Sequence, residues 1–115
     1  MKLQSPSSEN SGALLVLTNM PDQTSAENIA RELVSRKLAA CVNMLAPCLS
    51  FYQWQGKLET ATEIPLLIKT TSTRYPELEQ TIRELHPYEL PEIIHVPVTG
   101  GLAAYLTWLH QETRA

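Results

Sequence analysis

The chain has 115 residues, 43% of them hydrophobic and 18% charged. At this length about two-thirds of the extended surface is buried on folding, enough for one core and no second domain. Nine Lys and Arg against twelve Asp and Glu leave a net charge of −3, so the surface carries no basic footprint for nucleic acid or for an anionic membrane. The two cysteines, Cys41 and Cys48, are too few for a disulfide scaffold and lack the CxxC spacing of zinc or thioredoxin-like motifs, which makes reduced thiols in a cytoplasmic protein the expectation.

Residues 1 to 12 are polar and contain Ser, Pro and Gly, predicting a loose tail before a domain over residues 13–115. That tail has no apolar run of signal-peptide type, and no later segment reaches the ~20 apolar residues needed to span a bilayer. Ala13 to Thr18 is apolar on both alternating sets, the pattern of a strand covered on both faces. Thr24 and Glu27 make a capping box, and Ala26, Ile29, Ala30, Leu33, Val34 and Leu38 recur at three and four residues, predicting a helix with one buried stripe. Ala39 to Leu45 reads as a second strand, interrupted at Ala46-Pro47 and resumed with the aromatics of Leu49 to Trp54.

Gln55-Gly56-Lys57 predicts a hairpin turn, and the return strand runs from about Leu58 to Thr70. Pro65 within it cannot donate to a ladder, so this stretch lies at an edge, at a bulge, or is paired only in part. Thr73 is placed to cap a second helix with Pro76 in its first turn and Leu78, Ile82 and Leu85 as its stripe. His86-Pro87 ends it, because a residue before proline is pushed out of the helical region. Glu92 to Val98 is another strand, with His95 on the same face as Ile93, and a last helix carries Leu102, Tyr105, Leu106 and Leu109 on one side.

The order β-α-β-β-α-β with a C-terminal helix predicts an α+β, ferredoxin-like sandwich with both main helices on one face of an antiparallel sheet. The other face is apolar as well. Either the last helix and the long hairpin cover it within one chain, or a closed homo-oligomer packs sheet against sheet, and the closure argument favours the oligomer.

Together, Ala39-Ala40-Cys41-Val42-Asn43, Tyr52-x-Trp54-x-Gly56-Lys57, Glu63, Lys69-Thr70, His86-Pro87-Tyr88-Glu89-x-Pro91-Glu92-Ile93 and Tyr105-Leu106-x-Trp108 resemble the CutA divalent-cation tolerance proteins. The resemblance runs from about residue 13 to residue 110. It implies a ferredoxin-like protomer similar to the PII signalling proteins, assembled as a homotrimer through its long hairpin, and a cytoplasmic role in tolerance to copper and other divalent metals. It implies no chemical reaction. In some members copper is held by a Cys on the first strand and by adjacent histidines before the Pro-Tyr motif; here those positions are Thr18 and Leu85, and His86 alone remains. One imidazole is not a selective site for a soft ion.

The candidate residues follow from this. His86 is the foremost metal-ligand candidate, against the plainer role of capping the second helix, and Cys41 is a distant second, against a small buried hydrophobe. His95 and His110 are spaced too far from His86 for an HxH or HExxH pair; His95 reads as structural and His110 as solvated. Trp54, Glu63, Lys69, Tyr88 and Glu92 form the second cluster. They either line an intersubunit crevice that holds a small ligand or partner, or form a hydrogen-bonded seam that specifies the trimer. No nucleophile-base spacing, P-loop or GxGxxG marks an enzyme, and no organic cofactor is called for.

Overall fold

In a computed structural model, residues 11–115 are described; the expected N-terminal tail therefore lies outside the described residues except for its last two positions. Those two are tied down rather than loose. The Ser11 hydroxyl donates to the Val98 carbonyl, and the Gly12 carbonyl accepts from the Ser72 N–H at 2.8 Å.

Among the described residues five strands and three helices follow: β1 (Ala13–Met20), α1 (Gln23–Ser35), β2 (Cys41–Met44), β3 (Cys48–Trp54), β4 (Lys57–Thr71), α2 (Tyr75–Leu85), β5 (Ile94–Val98) and α3 (Ala103–Glu112). The strands form one antiparallel sheet in the order β2-β4-β1-β5, with β3 paired to the outer length of β4. β4 is thus a central strand despite Pro65. It tolerates the proline because, on the edge shared by β2 and β3, Pro65 falls in the gap between them, where β2 ends opposite Leu66 and β3 begins opposite Glu63; on the other edge it stands opposite Asn19 of β1. Only the Pro65 carbonyl is needed there, and it accepts from the Leu45 N–H.

That gap is a bulge. Cys41 faces Lys69 and Cys48 faces Glu63, so seven steps on one strand answer six on the other and the extra residue falls at 45–47. The bulge reverses the facing of everything after it. Cys41 and Cys48, an odd number apart, therefore point to the same side of the sheet, where a regular strand would send them to opposite sides.

One face of the sheet is closed. Leu14, Val16, Met20, Ile64, Leu66 and Ile68 pack there against Ala26, Ile29 and Leu33 of α1 and Leu78 and Ile82 of α2, an apolar stripe meeting an apolar face. The cap of α1 is Asp22, whose carboxylate accepts from the Ser25 N–H at 2.8 Å; the capping box expected at Thr24 starts two residues too late, and Glu27 is taken by Gln23 and Arg31. Thr73 does not cap α2 either, whose N-cap is Arg74 without a side-chain bond. The Thr70 hydroxyl, buried in this layer, donates to the Leu38 carbonyl at 2.6 Å.

Among the described residues, the opposite face is closed only at one end. α3 packs on β1 and β4, Leu109 is buried with Ala13 and Thr71, and His110 Nε2 donates to the Ser11 carbonyl at 2.7 Å. Of the stripe predicted for α3 only Leu109 is buried; Leu106 is half-buried and Leu102 and Tyr105 are exposed, because the helix rests on the sheet by a narrow edge. Further along this face Ile94 and Val96 remain 52% and 46% exposed. His95 points the other way, stacked edge-on against Tyr75 with ring centroids 4.4 Å apart.

At the far end β3 and β4 run out as a hairpin, closed by Gln55 and Gly56 with φ of 51° and 81°. Positive φ at both positions is the two-residue turn that matches strand twist. The chain spans 56 × 29 × 24 Å, and the hairpin exposes Leu49, Phe51 and Leu58.

Candidate functional site

A concavity lies between the base of the hairpin, the end of β1 and the segment after α2. It is an open crevice of about 760 Å³, lined among others by Asn19, Tyr52, Trp54, Glu63, Tyr88 and Glu92. Four of the five residues expected in this cluster are thus together. Lys69 is not: it stands six residues along β4 from Glu63, about 20 Å of extended strand, and its amine donates to Asn43 Oδ1. Cys41 lies beside it, Sγ 4.0 Å from the Lys69 amine, so the second metal candidate shares no site with His86.

The segment 86–92 is positioned by His86. Its backbone N–H donates to the Ile82 carbonyl and closes α2, while its ring turns inward and is 7% exposed. Nε2 donates to the Asn19 carbonyl at 2.8 Å and Nδ1 accepts from the Tyr88 N–H at 3.2 Å. That pair of bonds fixes the neutral tautomer with hydrogen on Nε2, and burial holds the imidazole below its ordinary value, although the Asn19 carbonyl and Glu63 oppose the shift. Both nitrogens are used. A metal would need an Nδ1 lone pair or a deprotonated Nε2, and in this arrangement His86 has neither free; it bridges the end of β1 to the 86–92 segment. Among the described residues no three His, Cys, Asp or Glu side chains converge as metal ligands. The described residues offer no set that fits a resident metal ion.

From His86 the chain turns to Tyr88, its ring 4.7 Å from the imidazole. The Tyr88 hydroxyl donates to Glu63 Oε2 at 2.9 Å. Burial raises the Tyr88 phenol, and the bond to Glu63 raises it further, so it stays protonated and acts only as a donor to that carboxylate. Glu63 itself is 7% exposed. On the opposite wall Asn19 Nδ2 donates to Glu92 Oε1 at 3.2 Å. His86 and Asn19 therefore join two walls of the crevice, and Tyr88 joins the segment to the hairpin strand. Asn19, Ser50, Phe51 and Tyr52 also line the crevice; none was singled out as a ligand contact from the sequence, and the aromatic run at 51–54 was the one available signal.

This fold and crevice define a class of small α+β proteins built on a half-covered sheet. Residues 14–112 match the family described as CutA1 divalent ion tolerance protein, and the chain belongs to that family. It is 41% identical over 99 residues to the divalent-cation tolerance protein CutA of Thermus thermophilus, covering 86% of this chain and 96% of that one. It is 43% identical over 95 residues to Protein CutA of Mus musculus, covering 83% of this chain; it spans only 54% of the length of that mouse relative. Among solved structures, CutA from Xylella fastidiosa superposes with a TM-score of 0.87 at 47% identity, over 90% of this chain and 99% of that one. A CutA from Archaeoglobus fulgidus, described as periplasmic, superposes with a TM-score of 0.86 at 35% identity, over 89% of this chain and 99% of that one.

Proposed function

We propose that this chain is a homotrimeric, non-enzymatic member of the family that contributes to divalent-cation tolerance as a sensor, binding a small molecule or partner in the crevice beside the hairpin. The observation that carries this reading is the crevice: about 760 Å³ with Trp54, Glu63, Tyr88 and Glu92 around it, a volume suited to a small molecule and far larger than an ion. The antiparallel sheet order with two helices on one face supports the ferredoxin-like, PII-like protomer over residues 13–115. The half-open apolar face and the exposed hairpin support the trimer, since neighbouring copies would bury both. The two free cysteines support a reducing, cytoplasmic setting, and no helix among the described residues is long and apolar enough to cross a membrane.

A second reading, weak or conditional binding of copper or another divalent ion by the protein itself, is favoured by the names of the relatives. It requires His86 to surrender its bond to the Tyr88 N–H. A thermal-shift screen separates the two readings, because a ligand selective for the native state raises its apparent stability. A metabolite that raises the melting temperature of the wild type and not of Trp54→Ala supports the sensor. A flat screen, together with saturable copper binding lost in His86→Ala, overturns the sensor in favour of direct binding.

A further inference from the structure

The crevice has one-sided chemistry. Its lining includes the aromatic rings of Tyr52, Trp54 and Tyr88 and the carboxylates of Glu63, Glu89 and Glu92, and no Lys, Arg or His. We propose that its ligand is a small organic cation, an ammonium or guanidinium group on a short carbon frame. This rests on the crevice reading above and assigns the chemical class it left open.

Charge is the first argument. Glu63 is 7% exposed, its one hydrogen bond comes from the neutral Tyr88 hydroxyl, and the ion pairs among the described residues all lie elsewhere, on α1 and α2. A carboxylate so far from water is costly until a positive charge approaches it. The same three carboxylates repel a phosphate or a carboxylate ligand.

The aromatic walls decide between kinds of cation. Rings attract a weakly hydrated organic cation through their electron-rich faces. A divalent metal instead asks for several oxygen ligands converging at short range, and no such group of side chains exists among the described residues. Size agrees, since the volume matches a small molecule.

The test is isothermal titration of the full chain with choline and with 1,4-diaminobutane, using 3,3-dimethyl-1-butanol as the uncharged isostere of choline. Saturable binding of at least one cation is expected, with none for the alcohol, and with affinity weakened about tenfold or more in Trp54→Ala and in Glu92→Gln. Glu92 is exposed, so its variant tests the site even if Glu63→Gln unfolds. No binding of either cation, equal binding of the alcohol, or unchanged affinity in both variants overturns the proposal. If neither cation binds and Glu63→Gln or Glu92→Gln dissociates the assembly in sedimentation, the positive charge belongs to a neighbouring copy, which also overturns it. A hit of other chemistry in the thermal-shift screen, lost in Trp54→Ala, would leave the crevice reading standing and remove only the cation.

Discussion

The two faces of the central sheet are made from the same kinds of residue and meet different fates. On the helix side Val16, Leu66 and Ile68 are fully buried under α1 and α2. On the other, Ile94 and Val96 are left about half in water beside Leu15 and Leu17. Composition alone does not separate them, because both sets are aliphatic and strand-forming. The difference lies in what the described residues supply: two amphipathic helices for one face, and for the other a helix that rests on one end. A face that the described residues leave uncovered is where the assembly and the crevice are to be sought.

Truncating each face in turn breaks or sharpens this contrast. Leu33→Ala removes a fully buried side chain of α1 and is expected to cost about 2–5 kcal/mol in denaturant unfolding. Val96→Ala on the open face would cost no more than about 0.5 kcal/mol in an isolated chain. If copies cover that face, its cost instead approaches that of a core residue and depends on protein concentration. Equal, small, concentration-independent effects of Val96→Ala would return the open face to solvent.

At the crevice, Tyr88→Phe leaves the Glu63 carboxylate without its donor, and a loss of about 1–3 kcal/mol is expected for a buried acceptor so stranded. An unchanged midpoint would mean that water or another group serves Glu63 equally well. His86 gives the pH dependence. Its folded value is lowered, so the unfolded chain takes up a proton near the ordinary value of 6.5 that the folded chain resists. Stability is therefore full above that pH and falls as the pH drops through it. Protonation also converts Nδ1 into a donor facing the Tyr88 N–H donor, loosening the crevice wall. Melting temperature should fall between pH 7.5 and 5.5 more steeply in the wild type than in His86→Gln; parallel curves would remove His86 from the account.

A small effect of opposite sign is expected inside the closed face. Thr18 is fully buried, and its hydroxyl has no hydrogen-bond partner among the described residues. Thr18→Val keeps the shape and removes the stranded hydroxyl, so a gain of about 1 kcal/mol is expected in the same unfolding measurement. A loss would show that the hydroxyl is satisfied in solution.

Much of the closed face was legible in the sequence, because helix stripes are periodic and local. Ile29 and Leu33, Leu78 and Ile82, the Gln55-Gly56 turn and the stop at His86-Pro87 all act over a few residues. What was not legible depends on register. The extra residue at 45–47 has no sequence mark beyond Ala46-Pro47, yet it sets the facing of β3 and brings Cys48 to the side of Cys41. Lys69 and Glu63, grouped by type, are a different case: both lie on the one strand predicted from Leu58 to Thr70, and six residues of extended chain keep them apart whatever the register. Capping misled too: Asp22 and Thr24 are both good N-cap types, and the backbone is still extended at Asp22 and already helical at Thr24. The crevice was half visible. Trp54, Glu63, Tyr88 and Glu92 were nameable, while Asn19, at the end of a buried strand, gave no sign that its carbonyl and amide would hold His86 and Glu92.

The central claim is that the open face is covered by copies of the chain, and sedimentation equilibrium at micromolar concentration tests it most directly. A single species at three times the 12.9 kDa chain mass, shifted toward smaller species by Phe51→Asp on the exposed hairpin, is the predicted result. A stable monomer of the wild type at that dilution would contradict it.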